Sequence, residues 1–227
     1  MLGTDAYLPF HSGVDRSGNE EDSSCASYSV PAPQLVELEL TPAEVAAGLQ
    51  HLPGMVFFDT SGNIPTRSHA PVSIIAARPV NVIRGHIHNE DDLNRLRDAV
   101  NQWDVHSLSL GFPVGGACGW ADYEGSFCFG IYPEMLVYQH DRQQWWQCGE
   151  LMGAIVKDPQ PSPVVKVGEF EESMSRSDYQ DGVRRIHEYI AAGDIYQVNL
   201  TQRYSAAVKG GSLFPLYHHL REGTPAP

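Results

Sequence analysis

Cations are scarce in this sequence: 15 Lys and Arg stand against 28 Asp and Glu, a formal net charge of -13 over 227 residues. Phosphate contacts need clustered basic side chains, and no basic stripe runs along the chain, so a nucleic-acid-binding surface is excluded. Long apolar runs are missing too. None reaches the roughly 18 residues needed to cross a bilayer. The first ten residues also lack the charged start and apolar stretch of a signal peptide, so a cytoplasmic location with no membrane partner is expected. Cysteine is limited to Cys25, Cys118, Cys128 and Cys148, with no CxxC pair among them. A disulfide would require Cys118 and Cys128 to face each other on neighbouring strands, whereas an intracellular chain keeps its thiols reduced. Finally, Gly111, Gly115, Gly116 and Gly119 lack phosphate-loop spacing and are followed by no Lys-Ser/Thr. Glycines among aromatics in this way mark turns or bulges.

Apolar residues at 42% and charged residues at 19% are ordinary for a globular protein with a real core. Residues 1–33 differ: they are rich in Ser, Gly and acids, with five acids against Arg16, and too poor in apolar surface to offset the entropy of ordering. They read as a flexible acidic tail ahead of a folded region over 34–227. LVELEL (35–40) alternates as a strand does. Thr41 then caps a helix, with Pro42 at its first position and Glu44 completing a capping box. MVFFDT (55–60), VSIIAA (72–77) and VNVIRG (80–85) read as strands. Asn89 caps a second helix whose Glu90, Asp91 and Asp92 suit the positive end of its dipole. Residues 112–148 predict three or four antiparallel strands, and the proline-bearing stretch 153–168 a connector. Further on, Ser177 with Gln180 predicts a capping box. Tyr179, Val183, Ile186 and Ile190 share one helical face, and Gly193 stops the helix.

Two histidine groupings have bland explanations. His86-Ile87-His88 puts two imidazoles on one face of a strand, as a metal site would. The acids nearby are already accounted for by the helix start, so no metal ligand is assigned. His218-His219 are adjacent on a helix and do not share a face. Asn199-Leu200-Thr201 fits a glycosylation acceptor, but it lies in a predicted strand of a chain without a secretion signal.

That strand, 195–204, matters more. Period-two alternation places Gln197, Asn199, Thr201 and Arg203 on one face, and Tyr196, Val198, Leu200 and Tyr204 on the other. A row of hydrogen-bonding side chains is costly to bury without partners. Such a face either lines a ligand cavity or is an exposed sheet face.

The segment GDIYQVNLTQRY (193–204), with its preceding amphipathic helix, resembles the chorismate-utilising enzymes, specifically the aminodeoxychorismate (para-aminobenzoate) synthase component I branch. LPGMVFFDTSG (52–62), SIIAARPV (73–80) and GFPVGGACGWADYE (111–124) resemble that family's early strands and its glycine-rich pattern in order and approximate spacing. Anthranilate synthase component I is the close relative. Asn199, where that branch carries an apolar residue, favours the aminodeoxychorismate side. The resemblance implies an α+β fold of antiparallel sheets flanked by helices, the N-terminal portion of a two-sheet sandwich. It also implies chorismate as substrate, ammonia from a glutaminase partner, magnesium as the family's metal, and a product on the way to para-aminobenzoate and folate.

The family's lysine, its magnesium-binding glutamates and its Pro-Gly-Gly-Ser loop match nothing in these residues. No catalytic residue and no metal ligand is therefore assigned. The chain is expected to be a fragment, truncated at its C-terminus and inactive alone. Family members also bind tryptophan. By motif position Ser61 and the Thr224-Pro225-Ala226-Pro227 segment match that pocket, so Ser61, Pro225, Ala226 and Pro227 are its candidate residues. Thr224 departs from the family's Asn, and His69-Ala70-Pro71 from its aromatic pattern. Gln197, Asn199 and Thr201 are the candidate cavity-facing residues. The alternatives are a stand-alone tryptophan-binding or glutaminase-docking module, or a fragment of the anthranilate branch. Unpaired strand edges and apolar surface predict self-association or a second chain.

Overall fold

The computed structural model describes residues 28–29, 31–61, 71–104 and 111–224. By contacts the chain divides into two units, one formed by 1–160 with 221–227 and the other by 161–220. Most of the expected 1–33 tail, and the 62–70 segment that holds His69 and Ala70, lie outside the described residues.

In the first unit the elements run β1 (Tyr28–Ser29), β2 (Gln34–Val36), α1 (Pro42–Leu49), β3 (Val56–Phe58), β4 (Val72–Ala76), β5 (Asn81–His86), α2 (Glu90–Asn101), β6 (Trp103–Asp104), β7 (Gly116–Ala121), β8 (Ser126–Tyr132), β9 (Met135–Gln139) and β10 (Gln144–Cys148). A 3-10 turn at Leu151–Ala154 follows. An antiparallel five-stranded sheet has the order β2-β10-β9-β4-β3, and a three-stranded one the order β5-β8-β7. The short β1 and β6 pair in parallel.

The sheets share a core because their strands alternate. On β8, Cys128 and Tyr132 point one way and Phe127, Phe129 and Ile131 the other. Tyr132 joins Ala76 of β4, Met135 and Val137 of β9, Cys148 of β10, and Phe112 and Val114 in one cluster. Phe127 and Ile131 pack instead with Ile83 of β5 and Ala99 of α2, flanked by Leu93 and Leu96. The α2 helix thus covers the small sheet, while α1 buries Val45, Ala46 and Leu49 and packs against β4. This is the α+β arrangement of antiparallel sheets flanked by helices that the resemblance implies.

Local signals explain the helix starts. Thr41 and Glu44 form a reciprocal capping box, and the Asn89 side chain accepts from the Asp91 and Asp92 amides. The 112–148 region holds four strands. Of the 35–40 region only Leu35 and Val36 join a ladder, within β2, although the inward alternation continues through Leu38 and Leu40. The condition for a disulfide is not met. Cys118 lies opposite Gly130, and Cys128 opposite Trp120, a diagonal relation about 7–8 Å apart. Cys118, Cys128 and Cys148 are free, and burial pushes the Cys148 thiol up to about 11.

The second unit contains β11 (Glu171–Glu172), α3 (Arg176–Ala192), β12 (Tyr204–Ser205) and most of α4 (Phe214–Gly223), whose residues from Arg221 onward count with the first unit. Two expectations are corrected here. The cap of α3 is Ser175 with Asp178, two residues before Ser177. The Asp178 carboxylate accepts from the cap's amide and hydroxyl and sets a negative charge at the positive end of the dipole, a charge that the neutral Gln180 lacks. The 195–204 strand is reduced to Tyr204–Ser205, paired with Glu171–Glu172. Gly193 does end α3, in the left-handed region at φ 82°.

Candidate functional site

The two-stranded ribbon of β11 and β12 continues for one residue pair. The Ser173 amide donates to the Arg203 carbonyl at 2.9 Å, and the Arg203 amide to Ser173 Oγ at 3.0 Å. Gln202 Nε2 then donates to the Met174 carbonyl at 3.0 Å. There the segment after β11 turns into α3 and pairing stops. Among the described residues, no backbone hydrogen bond joins 196–201 to a second strand. Gln197, Asn199 and Thr201 are exposed, and so are Tyr196, at 91%, and Val198. Leu200 is half-buried against Gly182, where a Cβ would lie 3.1 Å from Leu200 Cδ2. The polar residues therefore stand on an unpaired extended segment with α3 behind it, not on a completed sheet.

The amphipathic α3 has no buried residue. Tyr179, Val183 and Ile186 are half-covered, and Tyr189 and Ile190 are exposed. An apolar stripe at helical spacing normally faces a core. Within its own unit this one is covered only along its first turns.

In the first unit Ser61 is half-buried just beyond β3, while Pro225, Ala226 and Pro227 lie outside the described residues. Next to Ser61 is a group that sequence reasoning missed. Asp59, Ser73, His140 and Arg221 meet at the end of the five-stranded sheet. Extending the β3–β4 register past Phe57↔Ile75 sets Asp59 opposite Ser73. The turn after β9 brings His140 alongside, held by its amide's bond to the Pro71 carbonyl. A signal did exist: Ser73 is the lone polar residue in VSIIAA, and Asp59 follows two buried-type phenylalanines.

Elsewhere, His86 and His88 stack at 5.1 Å, and His86 Nδ1 accepts from the His88 amide. Among the described residues, no three His, Cys, Asp or Glu side chains converge as metal ligands. None of their helices is long and apolar enough to cross a membrane.

Comparison with known proteins fits this layout. Residues 120–227 match the family model described as chorismate binding enzyme. Aminodeoxychorismate synthase component 1 of Escherichia coli (strain K12) is 26% identical over 149 residues, 53% of this chain and 33% of that protein. Anthranilate synthase component 1 of Pseudomonas putida is 46% identical over 59 residues, 26% of this chain and 12% of that protein. In fold, the crystal structure of anthranilate synthase component I from Streptococcus pneumoniae TIGR4 superposes with a TM-score of 0.51 at 21% identity, covering 72% of this chain and 47% of that one. The chain spans a third or less of these curated relatives and about half of the solved neighbour. In sequence and fold it resembles the component I proteins of the chorismate binding enzyme family, whose model its residues 120–227 match.

Proposed function

We propose that this chain is part of a cytoplasmic aminodeoxychorismate synthase component I. In this reading the longer protein replaces the C4 hydroxyl of chorismate with ammonia from a glutaminase partner, towards para-aminobenzoate and folate, and this chain alone is inactive. The observation that supports it is the open segment 196–201. It carries the exposed Gln197, Asn199 and Thr201, finds no strand partner among the described residues, and sits inside the family-matched region. Such a row fits one wall of a polar cavity whose facing wall and reactive groups lie elsewhere.

Magnesium, which the resemblance implies for the longer proteins, needs several converging oxygens. Among the described residues no three His, Cys, Asp or Glu side chains form such a set. The test is direct: the purified chain, given chorismate and an ammonium salt, should form no aminodeoxychorismate. Turnover above the buffer blank would overturn the claim of inactivity. Co-purification with a glutaminase subunit tests the partner.

The exposed Tyr189, Ile190, Tyr196, Val198 and Tyr204 favour association, since unpaired edges next to apolar side chains template further pairing. Light scattering should show a mass rising with concentration. A constant monomer mass would contradict this.

A second reading is favoured by one contact. The Asp59–Arg221 ion pair, at 2.7 Å, joins a residue two positions before Ser61 to one three positions before Thr224. These are the approaches to the two segments of the tryptophan-type pocket. In that reading the chain binds L-tryptophan by itself, and calorimetry without measurable heat would remove it.

A further inference from the structure

Asp59, Ser73 and His140, with Arg221, are joined by hydrogen bonds that meet at the Ser73 hydroxyl and the Asp59 carboxylate. Arg221 Nε donates to Asp59 Oδ2 at 2.7 Å, and Ser73 Oγ donates to Asp59 Oδ1 at 3.1 Å. Ser73 Oγ also receives the Thr60 amide at 3.0 Å and stands 2.8 Å from His140 Nε2. A hydroxyl has one hydrogen and two acceptor sites. With its hydrogen given to the carboxylate, it accepts from both nitrogens, which puts the imidazole hydrogen on Nε2. The Thr60 hydroxyl completes the corner by donating to the Val72 carbonyl at 2.9 Å.

The site is nearly dry. The Ser73 residue is fully buried, and the Asp59 and Arg221 side chains are only 2% and 21% exposed. A buried carboxylate that kept its charge without a partner would cost several kcal/mol, so Arg221 is the natural counter-ion for this corner. Through that pair, the first residue after the second unit is tied to the end of β3.

We propose that Asp59, Ser73, His140 and Arg221 form a positioning clasp that fixes the chain at Arg221 against the end of β3 and loosens when His140 takes up a proton. The groups that face His140 are Asp59 beyond β3, Ser73 on β4, the edge of the Tyr138 ring on β9 at 4.9 Å, Asp141 in the following turn, and Arg221. Burial is the largest influence and holds the imidazole below its ordinary range; Arg221 acts in the same direction, against Asp59 and Asp141. Because the folded chain resists this proton more than the unfolded chain does, the sign is fixed. Stability is fully present above the unfolded histidine value and is lost as pH falls through the lower folded value. With Nε2 already carrying a hydrogen, the added proton goes to Nδ1 and sets a second cation beside the Arg221 guanidinium in this buried corner.

The clasp rests on its hydrogen bonds and on the burial of His140. Its link to a ligand rests on the second reading above, in which proton uptake weakens L-tryptophan binding near Ser61. The experiment is an NMR titration of the imidazole nitrogens in the full 227-residue chain, with His140 assigned through H140Q. The His140 midpoint should move up in Arg221→Met, stay near wild type in Arg221→Lys, and move down in Asp59→Asn. Removing the cation favours the imidazolium, and removing the anion disfavours it. A midpoint unmoved in both Arg221→Met and Asp59→Asn would overturn the clasp.

Should either variant fail to fold, thermal melts replace the titration. The acid-side loss of stability in wild type should flatten in H140Q, and an unflattened limb also overturns the clasp. Calorimetry with L-tryptophan near pH 5 and pH 8, either side of the histidine range, should show weaker binding at the acid end in wild type but not in H140Q. Equal affinities would sever the link to the ligand. No binding at either pH would remove the pocket reading, with the clasp decided by the titration.

Discussion

Replacing Trp145 by alanine is expected to lower the unfolding free energy by about 3–5 kcal/mol, the usual cost of deleting a buried large aromatic. Trp145 is 2% exposed and ties three parts of the five-stranded sheet together. Its backbone pairs with Tyr138 of β9 and Val36 of β2. Its ring packs on the Tyr138 ring at 5.0 Å, and its indole nitrogen donates to the Leu40 carbonyl at 3.0 Å. Alanine loses the packing and the bond together. Trp145→Phe keeps most of the packing and loses only the donor, so its cost should be smaller by several-fold. Urea titration followed by circular dichroism measures both. A cost below about 1 kcal/mol for Trp145→Ala would mean that the ring is not the keystone between β2, β9 and β10.

Gly119→Val is expected to be comparably damaging for a different reason. Gly119 lies on β7 opposite Phe129 of β8. A Cβ there would stand 2.0 Å from the Cys128 carbonyl oxygen and 2.7 Å from Phe129 Cα. Both are backbone atoms and cannot swing aside, so β7 must lift from β8. Overpacking typically costs about 1–3 kcal/mol and sometimes more. Because the obstacle is backbone, the upper end is expected, with loss of amide protection along β7. Gly153→Ala is the control: nothing lies within 4 Å of its added carbon, and its melting temperature should stay near wild type. Wild-type stability in Gly119→Val would contradict the close approach of the two strands.

Features written into neighbouring residues were legible in the sequence. Thr41 with Glu44, Asn89 before three acids, and Gly193 after an amphipathic run each announce a helix end within a few positions, and the structure puts caps there. Alternation exposed the strands of the first unit for the same reason. The pattern points to Ser177 with Gln180, and the helix is capped two residues earlier, at Ser175. The carboxylate of Asp178 decided it.

Alternation across 195–204 predicts a strand with a polar and an apolar face, whereas Tyr196 and Val198 are exposed along with Gln197, Asn199 and Thr201. Whether a strand forms depends on a partner, and a partner cannot be read from the strand itself. The corner at Asp59 was the hardest to see. Its residues are brought together across separations of 14, 67 and 162 positions, so only the folded register unites them. In the sequence each looks like an isolated polar residue.

Amide hydrogen exchange over 196–201 measures most directly whether this segment is an edge awaiting a partner. The chain should be diluted until light scattering shows single molecules. The expected result is exchange near the unstructured rate at Tyr196–Thr201, beside strong protection across β8, which is paired on both sides. Slow exchange along the whole of 196–201 in the lone chain would show that the segment is already paired within this polypeptide, and the reading of an open cavity wall would fail.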